Sequence, residues 1–331
     1  MYSLSSRSSK VYGSKYKSFQ LKNKNGVEVV INSLGAALSS YTMSDKAGLK
    51  RNILIDHHDY EGFLESGLRS GAVESSLVML GSKACFTKEE INRYLTNRVW
   101  EAKEILENKV TLRCQIHKFT KEYHIKLVYW VTYELNPSNL LSIDISLESN
   151  KAVQATVVHN TMYNLSGGLS DIRDTFVSID ADYYLRSDRE GIAIDRVPVQ
   201  GTVFDFTTPQ RLKECLNLND DDLFATKGFD HVFVVNGSGQ RVVARIFEPS
   251  TGISLELHTD SSRLHFYTGN RKVKGSIGCG NYGSFTLKPK GNKTGSSSIM
   301  VDELASITPG SPYHIKTKFV AHTEMNKSAN N

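Results

Sequence analysis

Residues 110–116 read VTLRCQI, residues 123–135 YHIKLVYWVTYEL and residues 141–147 LSIDISL. In the first, Val110, Leu112, Cys114 and Ile116 alternate with Thr111, Arg113 and Gln115. In the second, Tyr123, Ile125, Leu127, Tyr129, Val131, Tyr133 and Leu135 keep the same period of two over thirteen residues. The third alternates Leu141, Ile143, Ile145 and Leu147 with Ser142, Asp144 and Ser146. Side chains on a strand point to opposite faces in turn, so this spacing gives strands with one apolar and one wetted face, the signature of antiparallel sheet. Further β-rich pieces lie at Val27–Ile31, His231–Val235, Val242–Phe247 and Ile253–His258. Between them stand turn formers: Asn136-Pro137-Ser138-Asn139, Gly167-Gly168, Asn236-Gly237-Ser238-Gly239 and Pro249-Ser250-Thr251-Gly252. Helical periodicity is local and best at Pro209–Leu216. The expected fold is all-β, a large antiparallel β-sandwich.

The chain has 331 residues, 39 % hydrophobic and 23 % charged, enough for a sizeable core. No apolar run approaches the ~20 residues of a membrane helix, and the first residues lack the apolar segment of a secretory signal. Cys85, Cys114, Cys215 and Cys279 form no CxxC pair. That fits reduced thiols in a cytoplasmic setting and argues against a disulfide framework or structural zinc. Of the formal net charge of +5, Arg7, Lys10, Lys15, Lys17, Lys22 and Lys24 account for more than the whole. Residues 1–20 are therefore expected to be a basic, disordered tail, a candidate docking arm for a protein partner, followed by a single domain over 21–322 and a disordered 323–331. The body shows no basic stripe interleaved with aromatics, so nucleic-acid binding is not expected. Phosphate loops, GxSxG, HExxH and paired metal-ligand spacings are missing, and His57-His58, adjacent on one chain, would face opposite ways on a strand. No cofactor is implied.

Six segments, in order, resemble the aldose 1-epimerase (galactose mutarotase) family. Asn25-Gly26 with VEVVINSLGAALSSY is similar to its opening hairpin, with Gly35-Ala36 in the turn. HNTMYNLSG (159–167) resembles TNHSYFNLxG, and YYLRSDREGIAIDRVPVQGTVFDF (183–206) the segment that ends in Phe-Asp-Phe. GFDHVFVV (228–235) resembles GYDHxFVL, LELHTDSSRLHFYTGN (255–270) a strand pair closing on YTGN, and TPGSPYHIKTKF (308–319) PGxxYxxxTxYxF. The resemblance implies a large antiparallel β-sandwich and interconversion of α and β anomers of hexoses such as galactose or glucose. One group takes a proton from the C1 hydroxyl while another protonates the ring oxygen, without a cofactor.

Carried over residue by residue, the resemblance keeps the scaffold motifs and loses the chemistry. The family's acid, a His, falls at Asn160, with His159 one residue away and on the other face of a strand. The family's base, a Glu, falls at Lys288 in SFTLKPKG, and an ordinary lysine is protonated at neutral pH. Where the family has GRxANRI, residues 71–86 read GAVESSLVMLGSKACF, with Met79 and Leu80 near the Asn-Arg places. No HGG occurs, and RYLTNRVW (93–100) runs across its position. Asp230 keeps the place of the sugar-binding Asp. The expectation is an aldose 1-epimerase-like protein that is catalytically degenerate. It would keep a monosaccharide or sugar phosphate on Asp230, Asn160, His265 and Lys288, or serve protein interaction with the cleft filled by Met79, Leu80 and Met162. The alternative is an active epimerase using substitutes: His159 re-aimed by a bulge, His265 as acid, or Lys288 as a neutral base.

Overall fold

The computed structural model describes residues 3–8, 15–55, 70–187, 193–216, 219–270, 281–290 and 304–324. His57, His58, Cys279, residues 1–2 and 9–14 of the first expected tail and residues 325–331 of the second lie outside these residues. Every strand pair described is antiparallel. The largest sheet has nine strands, running in order Gln210–Arg211, Phe176–Ile179, Arg241–Glu248, Ile253–Thr259, Tyr313–Thr323, Leu140–Ser149, His124–Leu135, Lys109–Phe119 and Glu101–Ile105. The alternation read from sequence sets its register. Val110 faces Tyr133, Leu112 faces Val131 and Cys114 faces Tyr129, while Tyr129, Val131 and Tyr133 meet Leu147, Ile145 and Ile143 on the next strand. All of these are buried, so each apolar set lands on one face, as period-two patterning requires.

That face shares one core with a five-stranded sheet near the N-terminus, through Phe19, Leu21, Val29, Ile31 and Tyr41. The same core takes in the inner residues of a second five-stranded sheet, Phe233, Leu264, Phe266 and Leu287. Two or more sheets closing on one apolar layer make the sandwich expected from the sequence. The hairpin at Gly35-Ala36 joins Glu28–Asn32 to Ala37–Ser44, with both turn residues at positive φ.

Three expectations need correction. The strand Lys15–Lys22 pairs on one side with Ser3–Ser8 and on the other with Glu28–Asn32, and Phe19 within it is fully buried. Residues 3–8 and 15–20 are therefore strand and not tail: KYKSFQ hides two buried rings, Tyr16 and Phe19, in a basic stretch. The helix at Pro209–Leu216 shrinks to the single turn Leu212–Cys215 behind a two-residue strand. Among the described residues the longest helix is instead Lys88–Thr96. Thr87 accepts from Glu90 N–H through its hydroxyl at 3.1 Å, and Glu90 accepts from Thr87 N–H at 2.9 Å. That reciprocal cap is a T-x-x-E signature, present in the sequence and outweighed by the surrounding β pattern.

Candidate active site

Two short elements bring the chain to the site. The strand Val157–Asn160 pairs with Ala72–Ser75, and just beyond it Tyr163 bridges Phe285 through two backbone bonds of 2.8 and 2.9 Å. Phe285 lies three residues before Lys288, so this bridge carries Asn160 to the edge of the second five-stranded sheet. The Ala72–Ser75 strand is held from outside by the helix: Asn92 accepts from Ser75 N–H at 2.8 Å and donates to Ser75 C=O at 2.9 Å, a side chain standing in for a strand partner. At its start, Gly71 has φ +76° and lies so close to Leu38 that an added Cβ would stand 1.9 Å from the Leu38 carbonyl oxygen. Only glycine fits there.

Register then decides which side chains share a face. Asn160 lies opposite Ala72 and Val158 opposite Glu74, so Asn160 and Glu74 share one face, and the Asn160 amide donates to Glu74 Oε1 at 2.9 Å. His159 takes the other face, opposite Val73, toward the core. Its bonds fix its tautomer. The Tyr133 hydroxyl donates to Ala36 C=O at 2.6 Å, so at 2.8 Å His159 Nε2–H must donate to the Tyr133 oxygen. Nδ1 then carries the lone pair and accepts from the Thr161 hydroxyl at 2.6 Å. Both ring nitrogens are used internally, and burial pushes the imidazole down to about 3. His159 is a neutral structural histidine.

The remaining candidates come from three neighbouring strands, Asp230–Val235, Arg263–Tyr267 and Thr286–Lys290. His265 lies opposite Lys288 on one side and Val232 on the other, while Asp230 lies opposite Tyr267. Asp230, His265, Tyr267 and Lys288 therefore share a face. His265 Nε2 donates to Asp230 Oδ1 at 2.7 Å. His265 Nδ1 is buried and has no hydrogen-bond partner among the described residues. Burial drives His265 below its ordinary value against the pull of Asp230, and Lys290 and Lys288 push the same way as burial. Asp230 is raised by burial but lowered further by His265, His231 and Lys288, so its carboxyl stays ionised. His231 alternates to the aromatic side, packed on Phe204 and Tyr184, and burial pushes it down to about 4.

The start of the Asp230 strand is clamped by the YTGN motif. Thr268 accepts from Phe229 N–H at 3.0 Å and donates to Asn270 at 2.6 Å, while the Asn270 amide donates to Phe229 C=O at 2.9 Å. The motif thus acts on Asp230 through its neighbour. Lys288 is half-buried. Burial lowers it, Glu74 and Asp230 oppose that, and Lys290 and Lys88 reinforce it, for a net shift below the ordinary lysine value. Among the described residues Lys288 forms no hydrogen bond or ion pair.

The structure thus gathers Asn160, Asp230, His265 and Lys288 with Glu74, which the sequence reading passed over. Its signal was the alternation of Ala72-Val73-Glu74-Ser75, which puts a carboxylate on the face opposite a core valine. Met162 packs with Ile55 and Tyr267 at one margin of the group. Met79 and Leu80 sit instead on the separate strand Val78–Leu80, with Met79 opposite Gln154 and Ala84, so the structure does not bring them into this group. Arg93–Trp100, where HGG was expected, supplies the last turn of the helix Lys88–Thr96 and the residues that follow it, and Trp100 is buried with its Nε1–H on Leu95 C=O at 2.9 Å. No group of three or more metal-ligating side chains occurs among the described residues.

The antiparallel β-sandwich has counterparts of the same fold among solved structures. A galactose 1-epimerase from Lactobacillus acidophilus NCFM superposes with a TM-score of 0.77, covering 98% of this chain and 99% of that chain at 18% identity. An aldose epimerase homologue from C. elegans gives 0.75 over 93% and 98% at 18% identity. In sequence, galactose mutarotase of Homo sapiens is 28% identical over 276 residues, 78% of this chain and 79% of that protein. The aldose 1-epimerase of Escherichia coli K12 is 26% identical over 277 residues, 78% and 80%. The family model described as Aldose 1-epimerase matches residues 17–303. The chain belongs to the aldose 1-epimerase family.

Proposed function

We propose that this protein binds an aldose in the Glu74–Asn160–Asp230–His265–Lys288 group and does not catalyse anomer interconversion by the family's acid–base pair. The observation that carries the reading is the closed hydrogen-bond chain Thr161–His159–Tyr133–Ala36. It leaves the one histidine near the acid position with no proton to give and turns Asn160, an amide that cannot act as an acid, to the site. The group itself suits a polyhydroxylated ligand, with an ionised carboxylate, an amide, an ammonium group and an imidazole held on one face. Its gathering of half-buried polar side chains, with Met162 only at the margin, favours a sugar over a protein surface as its occupant. Cys85, Cys114 and Cys215 are free and buried, and no helix among the described residues is long and apolar enough to cross a membrane. A cytoplasmic setting is part of the proposal.

One observation supports the opposite reading: Asp230 orients His265, and Lys288 is shifted toward neutrality, a pairing that could pass protons in place of the family pair. Polarimetry separates the two. Freshly dissolved α-D-galactose or α-D-glucose is expected to relax at the buffer rate in the presence of folded protein, while titration calorimetry registers binding that Asp230→Asn weakens. Clear acceleration of mutarotation overturns the non-catalytic reading, and the absence of binding overturns the aldose-binding one.

A further inference from the structure

Lys288 has features that sugar binding alone does not use. It is half-buried, free of any hydrogen bond or ion pair among the described residues, and placed directly across the strand pair from His265. Two other ammonium groups, Lys290 and Lys88, and two carboxylates, Glu74 and Asp230, surround it electrostatically. A buried lysine is ordinarily paired, because an unpaired ammonium group is costly to desolvate. The other state open to it is the neutral amine, which is a nucleophile toward carbonyl carbon. The ligand class proposed above supplies such a carbon, since an aldose in its open form carries an aldehyde at C1.

We propose that Lys288 condenses reversibly with the aldehyde of an open-chain aldose to form an aldimine. The step rests on the aldose-binding reading. The Nζ lone pair adds to C1, the carbonyl oxygen takes up a proton, and the nitrogen loses one, giving a carbinolamine. Loss of the C1 hydroxyl as water then leaves a C=N bond between C1 and Nζ. One water is released per adduct, and nothing is oxidised or reduced. His265, oriented by Asp230, sits across the strand pair as a proton acceptor, and the Glu74 carboxylate acts on the amine electrostatically. The bond holds the sugar by its anomeric carbon, a use of the base's old position that needs no acid partner at Asn160.

The test is reductive trapping. The intact protein is incubated with D-galactose, and separately with glycolaldehyde, in the presence of sodium cyanoborohydride, and peptides are mapped by mass spectrometry. Both reagents are expected to mark Lys288 with the mass of one reduced adduct, at a yield about tenfold or more above that of the exposed Lys24. Lys288→Arg, which keeps the charge, is expected to abolish the excess while circular dichroism shows the fold intact, and Lys24→Arg is expected to leave it. Glycolaldehyde needs no sugar-shaped site. Marking by glycolaldehyde but not by galactose would leave Lys288 a carbonyl-reactive amine and overturn its aldose assignment, which is a failure of the binding reading. Adducts spread evenly over exposed lysines with either reagent would overturn the lysine chemistry itself, even if calorimetry still showed galactose bound.

Discussion

His159 makes acid stability a direct readout of the site's geometry. In the folded state burial pushes its ring down to about 3, whereas an unfolded histidine titrates near ~6.5. The unfolded chain therefore takes up this proton first. The stabilising contribution is fully present above the unfolded value and is lost as pH falls toward the folded one. Between pH 7 and pH 5 the loss is about 2 kcal/mol, because the unfolded ring goes from about a quarter protonated to nearly fully protonated while the folded ring stays neutral. His159→Gln removes this term and leaves His231, His265 and the carboxylates in place. Urea unfolding of both proteins at pH 7 and pH 5 is the assay. The variant is expected to be less stable at pH 7 by about 1–3 kcal/mol, the cost of disturbing two buried hydrogen bonds. Its further loss on acidification should be smaller than the wild type's by about 2 kcal/mol. Equal pH dependence in the two proteins would refute the neutral, buried state of His159 and return it to the list of proton donors.

Two further changes probe the elements that hold the site. Gly71→Ala forces a Cβ against the Leu38 carbonyl at a positive φ and is expected to cost about 3 kcal/mol or more, read as a shifted urea midpoint, with the Glu74 strand displaced and galactose binding lost. Thr87→Ala opens the capping box of the long helix and is expected to cost about 1 kcal/mol in the same assay, with sugar binding nearly unchanged because the Asn92 clamp remains.

The fold was legible in the sequence because the nine-stranded sheet has one buried and one wetted face. Val110 to Leu147 carry that constraint as strict alternation, and the register that follows is the one the structure shows. Elements whose signal is short or mixed were less legible. The helix Lys88–Thr96 announces itself only by Thr87 and Glu90, and Tyr16 and Phe19 are buried rings within a basic stretch. Of the candidate site, the sequence offered residue types and, by resemblance, positions, and the structure brings Asn160, Asp230, His265 and Lys288 together on neighbouring strands.

Which of these groups could do chemistry was decided by tertiary structure. Whether His159 is a free acid or a locked core residue depends on Tyr133 and Ala36, 26 and 97 positions apart from their partners, and no local pattern encodes that bond. Glu74 meets Asn160 across 86 residues, and Lys288 meets His265 only because two strands pair in one register. The sequence by itself determined which faces are buried, since hydrophobic periodicity is a local property of the chain. Proton affinities and partners arise from burial and from charges distant in sequence, and only the folded chain assembles them.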